Sequence, residues 1–96
     1  MSRLLYAQRR DKNEREIIDA LESAGASVIQ MDKSAGFDLL VFYMWKIYVA
    51  EVKRPDKKIK LEDNEMDTCE IITRQGCKYY ILTSIDQALD MIGVLP

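Results

Sequence analysis

Residues 37–55 of this 96-residue chain read FDLLVFYMWKIYVAEVKRP, and they decide the fold that the sequence predicts. They contain two runs rich in β-branched and aromatic residues, 37–43 and 46–53, which are too short to be buried helices. Both runs are apolar at odd and even positions, which is typical of central strands buried on two faces. The second run ends before Pro55, because proline has no N–H group for a strand ladder. The stretch therefore predicts a β-hairpin in the middle of a sheet.

Helical and extended patterns lie on both sides of this hairpin. Apolar residues at helical spacing predict further helices, and Gly25 and Gly76 mark two helix ends. The order α-β-β-β-α-β-α predicts one α/β domain over residues 1–96, with a core over about 11–92 and a mixed central sheet flanked by helices. Outside the hairpin, the predicted helices cover residues 11–24, 61–75 and 85–92, and the predicted strands cover 27–32 and 77–83.

The composition excludes several classes of function. The formal net charge is −2, from 14 basic and 16 acidic residues, so the chain is no general polycation that coats nucleic acid, although a local basic patch is allowed. The absence of histidine excludes histidine catalysis and histidine-bound metals, and two cysteines make no zinc set. No apolar run approaches the ~20 residues that cross a bilayer, and the N-terminus lacks the apolar segment of a secretory signal. We therefore expect a cytoplasmic protein.

Two acidic residues, Asp38 and Glu51, interrupt the apolar strands of the hairpin. An unpaired carboxylate is costly to bury, so each of them needs a partner. A loop centred on Met44-Trp45 places Asp38 opposite Glu51 and puts Lys53 on the same face, because side chains alternate along a strand. Met44-Trp45 lacks the Gly, Asn or Asp that a two-residue turn prefers, but a symmetric four-residue loop keeps the same register. An asymmetric loop or a bulge would break the pairing.

Opposed carboxylates repel each other unless something positive lies between them. A divalent cation, a shared proton or a nearby lysine would each reduce this repulsion. Two carboxylates with strand-edge backbone carbonyls form a hard oxygen site, which suits Mg²⁺ or Mn²⁺ rather than zinc. Lys53 can position or deprotonate a water molecule, or stabilise a charged transition state. Together these groups indicate metal-assisted hydrolysis of a phosphodiester bond.

Basic residues follow the second strand of the hairpin, and five of the eight positions from 53 to 60 are lysine or arginine. Such a run can follow a phosphate backbone next to the site. Glu14 is a further candidate, because it lies on the apolar stripe of the first helix. The candidate DNA-binding residues are Arg54, Lys57, Lys58 and Lys60.

Each candidate also has a purely structural explanation. Asp38 and Glu51 could be solvated strand acids, and Lys53 could protect the end of its strand. Glu14 could complement the dipole of its helix, and the basic run could be an ordinary solvated loop. An acid-x-Lys pattern arises readily by chance in a chain so rich in charged residues. A functional site is favoured by the context, in which both acids and the lysine occupy neighbouring predicted strands.

The motifs resemble those of the PD-(D/E)XK nuclease superfamily. Within it the chain is most similar to the small stand-alone VRR-NUC nucleases, many of them phage-encoded, and the similarity extends to archaeal Holliday-junction resolvases. The resemblance covers about residues 11–92 and implies a restriction-endonuclease-like αβββαβα core. The matching segments are Glu14 with Ile17-Ile18, the GFDLL segment at 36–40, the VAEVKRP segment at 49–55, and Gly76 followed by YYILTS at 79–84.

The resemblance also implies roles for individual residues. Asp38 and Glu51 would bind Mg²⁺ or Mn²⁺, with the backbone carbonyl of Val52 completing the site. Lys53 would serve the attacking water, and Glu14 would contact the metal through water. The implied activity is that of a metal-dependent DNA endonuclease without an organic cofactor. Such stand-alone members act as homodimers on branched DNA such as Holliday junctions, and a phage-encoded one would act in a host cell.

Two departures from the family pattern keep other functions open. Phe37-Asp38 replaces Pro-Asp, which retains the acid, but Glu65 stands near the position where a glutamine is common on the second helix. A carboxylate aimed at a phosphate would repel it. The alternatives are a catalytically idle DNA-binding or protein-interaction module with the same fold, and a small interaction protein with an accidental motif. Retention of Asp38, Glu51 and Lys53 argues against the idle module.

Overall fold

The sheet of the protein is built around the hairpin that the sequence predicts. In the computed structural model, which describes residues 12–94, strands β2 (Leu39–Tyr43) and β3 (Lys46–Val52) pair antiparallel. The register runs from Tyr43 opposite Lys46 to Leu39 opposite Ala50, which is the register of a symmetric loop. The predicted hairpin and its central place in the sheet are therefore confirmed.

The turn of this hairpin is a two-residue turn without glycine. Met44 and Trp45 have φ angles of 50° and 70°, so both adopt the positive φ that a type I′ turn requires. Residues other than glycine rarely adopt this backbone conformation, so the paired strands on either side must impose it on Met44 and Trp45. The tryptophan side chain at the tip is fully exposed to solvent.

Two further strands complete a mixed four-stranded sheet with the order β1-β2-β3-β4. Strand β1 (Ser27–Gln30) is antiparallel to β2, and strand β4 (Tyr79–Leu82) is parallel to β3. The predicted α/β class and the mixed sheet are confirmed. The helices are α1 (Lys12–Ser23), α2 (Asp63–Arg74) and α3 (Ile85–Met91), and a 3₁₀ turn covers Lys33–Ala35. The predicted strands at 27–32, 37–43 and 77–83 are longer than the observed ones.

One face of the sheet forms the hydrophobic core with α1 and α3, which also contact each other. Ile17 and Leu21 of α1 are completely buried, since they lie one turn apart on the same face of the helix. They pack in one cluster with the opposed pair Leu39 and Ala50 and with Ala88 of α3. This packing fixes the sheet against α1, the helix that carries Glu14. None of the helices within residues 12–94 is long and apolar enough to span a membrane.

The other face of the sheet is covered unevenly. Helix α2 contacts β4 and the 3₁₀ turn, so it covers the end of the sheet where β3 finishes. Away from that end, Ile29 of β1 and Ile47 of β3 are 51% and 65% exposed. Glu51 shares this face with Ile47, because the two lie four residues apart on one strand. The candidate site therefore lies where α2 meets the sheet.

Candidate functional site

A cleft of about 750 Å³ opens at the end of β3 and contains most of the residues that the sequence singles out. Its walls come from α1, the segment before β2, the end of β3, the basic loop and the start of α2. The predicted site residues that line it are Glu14, Asp38, Glu51, Val52, Lys53, Arg54, Lys57 and Lys58. Lys60 is exposed and does not line the cleft.

Asp38 lies immediately before the first pair of the β2–β3 ladder, which is Leu39 opposite Ala50. Its backbone N–H donates to the carbonyl of Ala50 at 3.1 Å, and its Oδ2 accepts the backbone N–H of Val52 at 2.8 Å. The carboxylate is therefore fixed to the end of β3 next to Glu51, but it lies beyond the ladder rather than within it. The negative charge of Asp38 contributes to the raised pKa of Glu51, as expected for two carboxyl groups at the same strand end.

Glu51 is the most deeply buried acid of the cleft, with 3% of its surface exposed. Within the described residues its Oε1 has no hydrogen-bond partner, while its Oε2 lies 3.3 Å from Lys53 Nζ. Burial raises the pKa of Glu51 from 4.5 to about 9, and a hydrogen bond with Glu65 and the charge of Asp38 act in the same direction. The charge of Lys53 lowers this pKa only in part, so without a bound metal ion Glu51 keeps its proton at neutral pH.

Lys53 lies between two carboxyl groups at the mouth of the cleft. Its Nζ donates a 2.8 Å hydrogen bond to Glu65 Oε1, in addition to the contact with Glu51. Burial lowers the pKa of Lys53, but the hydrogen bonds and charges of Glu65 and Glu51 outweigh this effect and raise it overall. Burial alone would raise the pKa of Glu65, yet its hydrogen bonds with Glu51 and Lys53 lower it. Lys53 is a cation and Glu65 an anion at neutral pH.

Helix α1 contributes two residues to this end of the sheet. Glu14 is 5% exposed and lines the cleft on the same stripe of α1 as the core residue Ile17. Asn13, the preceding residue, donates from Nδ2 to the backbone carbonyl of Lys53 at 2.8 Å. This bond ties α1 to the end of β3 and so helps to hold Glu14 at the wall of the cleft. Asn13 was not among the candidates, because an asparagine in a first helical turn has no distinctive pattern.

The charge of the cleft is mixed rather than basic. Arg54 forms an ion pair with Asp56, with 2.7 Å between Nη2 and Oδ2, so part of its charge is neutralised within the loop. Six acids and five bases line the cleft, and a divalent cation would therefore turn its net charge positive. The acids are Glu14, Asp32, Asp38, Glu51, Glu62 and Glu65, and the bases are Lys33, Lys53, Arg54, Lys57 and Lys58.

The segment that leads to Asp38 is clamped to α2. Thr68 Oγ1 donates to the carbonyl of Ala35 at 2.9 Å, and Asn64 Nδ2 donates to that of Lys33 at 2.7 Å. From β4, the hydroxyl of Tyr79 donates to the carbonyl of Gly36 at 2.7 Å. These side chains satisfy three backbone carbonyl groups of the 3₁₀ turn and its C-cap, and they set the direction in which the chain approaches Asp38. Sequence alone did not identify them, since hydroxyl and amide residues on a helix have many uses.

The residues of the cleft fit a hard divalent cation. Glu51 presents a buried oxygen without a hydrogen-bond partner among residues 12–94, and Asp38 lies next to it. In the same part of the chain, no three acidic or cysteine side chains converge as a metal-binding group. A cation here would therefore need backbone oxygens, such as the carbonyl of Val52, and water as its remaining ligands.

Comparisons with known proteins do not assign the chain to a family. No family model matches it, and neither curated proteins nor solved structures give a match. The resemblance to PD-(D/E)XK nucleases therefore rests on the motif residues and stays a prediction.

Proposed function

We propose that the protein is a metal-dependent DNA endonuclease that hydrolyses phosphodiester bonds and prefers branched DNA such as Holliday junctions. The observation that carries this proposal is Glu51, a buried acid with an oxygen that lacks a hydrogen-bond partner among the described residues, beside Asp38 and Lys53 in an open cleft. A buried polar atom without a partner is costly, and native proteins retain such atoms where a ligand satisfies them. A bound Mg²⁺ or Mn²⁺ would remove this cost.

The roles of the side chains follow from their charges and positions. Asp38, Glu51 and the carbonyl of Val52 would hold the cation, which would act as a Lewis acid on the scissile phosphate. Lys53 carries a positive charge at the same end of β3, where it can orient the attacking water or hold a phosphate oxygen. Glu14 reaches the cleft from α1 and would hold a water molecule near the carboxylates.

DNA is the proposed partner because of the basic residues at the mouth of the cleft. Lys57 and Lys58 line it, and no ion pair of theirs is found within the described residues, so both can contact phosphate. Lys60 lies outside the cleft and would contact DNA further along the backbone. The contribution of Arg54 depends on its release from Asp56.

The proposal includes a homodimer as the acting form. The exposed residues Ile29 and Ile47 lie on the face of the sheet that α2 leaves uncovered, and they offer apolar surface for a second copy. Light scattering of the wild type and of Ile47→Asp measures the mass directly. A wild-type mass of one chain would contradict this part of the proposal.

Cleavage assays on linear, flapped and four-way DNA test the proposed activity. With Mn²⁺ or Mg²⁺, the wild type should cut at least one substrate, and Asp38→Asn and Lys53→Met should not. Lys78→Met is the matched control, because Lys78 lies over the ring of Tyr80 and outside the cleft, so this variant should cut like the wild type. Failure of the wild type to cut any substrate would reject the nuclease.

The idle binding module remains the second candidate. It is favoured by the ion pairs that already occupy Lys53 and by the lack of a three-residue metal group within residues 12–94. The two candidates give different results in the same experiment. DNA binding that needs no metal, without cleavage of any substrate, would support the module and contradict the nuclease.

A further inference from the structure

Glu65 makes a close contact with Lys53, although Glu65 is not one of the motif residues. Its Oε1 accepts a 2.8 Å hydrogen bond from Lys53 Nζ and a second, also 2.8 Å, from the backbone N–H of Glu62. The second bond caps the start of α2 and fixes the carboxylate to the first turn of that helix. The helix backbone therefore determines where the acceptor for Lys53 lies.

Lys53 depends on such an acceptor because its side chain is long and has many rotamers. Only 19% of this side chain is exposed, so its charge-assisted hydrogen bonds are less screened by water than those on an open surface. The contact with Glu65, at 2.8 Å, is shorter than the contact with Glu51, at 3.3 Å. Glu65 is therefore the main partner of the ammonium group.

We propose that Glu65 is a positioning residue that holds the Lys53 ammonium at the cleft and leaves Glu51 available for a divalent cation. This inference rests on the proposed function. Among the described residues, Glu51 is the other carboxylate within ion-pair distance of Lys53. Without Glu65, the lysine and the cation would compete for the same Glu51 oxygens. With Glu65, the ammonium group makes its shorter contact away from Glu51, and a cation would meet less competition for the Glu51 oxygens.

The difference between carboxylate, amide and methyl groups at position 65 gives a direct test. The amide oxygen of Glu65→Gln can still accept hydrogen bonds from Lys53 and from the N–H of Glu62, whereas Glu65→Ala can accept neither. Asp63→Ala is the matched control, because Asp63 is another acid in the first turn of α2 and does not line the cleft. This control removes the same charge from the helix without touching the lysine.

The position of the lysine can be measured without metal or DNA, by the NMR signal of its ¹⁵N-labelled ammonium group. An ammonium held by hydrogen bonds exchanges slowly enough to be observed, and the loss of one signal in Lys53→Met assigns it. We expect the Lys53 signal in the wild type, Asp63→Ala and Glu65→Gln, and its loss in Glu65→Ala. Persistence of the signal in Glu65→Ala, or its absence from the wild type, would overturn the proposal.

The catalytic consequence is measured separately with the DNA substrate that the wild type cuts. Glu65→Ala should lower kcat by about tenfold or more and change KM by less than about threefold, since the lysine is displaced while the basic loop remains. Glu65→Gln should restore most of kcat. Equal kcat values for Glu65→Ala and Asp63→Ala would overturn the role of Glu65. A wild type that cuts nothing would reject the nuclease, and the ammonium signal would still decide whether Glu65 positions Lys53.

Discussion

Gly36 is the position where one added methyl group should have the largest effect on the site. It is buried, has a φ of 80°, and lies two residues before Asp38. A Cβ atom there would lie 2.7 Å from the backbone carbonyl oxygen of Asn64 and closer still to the hydroxyl of Thr68. Because backbone and a hydrogen-bonded hydroxyl cannot simply move aside, Gly36→Ala should push α2 away from the 3₁₀ turn.

The size of the effect can be separated into two parts with Gly76→Ala as the matched control. Gly76 has nearly the same φ, 82°, but no atom lies within 4 Å of a Cβ built on it. The free energy of unfolding of the control should therefore fall only by the cost of a side chain at positive φ, about 1–2 kcal/mol. Gly36→Ala should be destabilised by this amount and, in addition, by an overpacking cost of about 1–3 kcal/mol. The free energy of unfolding should thus fall by about 2–5 kcal/mol.

Urea unfolding followed by far-ultraviolet circular dichroism measures both variants. The difference between their unfolding free energies is the steric part of the cost, provided that the slopes with urea are equal. If α2 moves, Gly36→Ala should also lose the ordered ammonium signal of Lys53, because Glu65 lies on the same helix. Equal stability of the two alanine variants would refute the close contact between Gly36 and α2.

Three further predictions concern Glu51 and the core. In the wild type, the free energy of unfolding should fall as the pH rises from about 4.5 towards about 9, because the folded state keeps a proton on Glu51 that the unfolded state has lost. Urea titrations between pH 5 and 9 measure this dependence, and Glu51→Gln should flatten it. The rise in melting temperature caused by Mn²⁺ should increase from pH 6 to pH 9, because the cation must displace the proton on Glu51 and this proton is lost more easily at higher pH. A rise that does not depend on pH would contradict this. Ile17→Ala should lower the free energy of unfolding by about 2–5 kcal/mol in the same assay, because Ile17 is completely buried.

The hairpin and its register were predictable because two short-range signals agree. Apolar residues at both odd and even positions of the two runs indicate inner strands, and a symmetric loop leaves one register that brings the acids together. The conformation of Met44 and Trp45 was not predictable, because neither residue favours positive φ. The strand pairs around the turn impose it, and their combined effect appears only in the folded sheet.

The candidate site was predictable where it depends on strands and unpredictable where it depends on α2. Asp38, Glu51 and Lys53 belong to one hairpin, so the register alone brings them together. The contact of Glu65 with Lys53 requires the docking of a helix that starts ten residues later, and helical spacing does not reveal which turn faces the cleft. Charge alone likewise does not tell Lys58, which lines the cleft, from Lys60, which does not.

The exposed indole at the hairpin tip has a practical consequence for spectroscopy. Trp45 is the single tryptophan of the chain, and water surrounds its ring in the folded protein. Its emission maximum should hardly shift on denaturation, so intrinsic fluorescence is a poor reporter of folding. The same property makes it a background-free reporter of docking, because any macromolecule that covers the tip must change the polarity around the only indole.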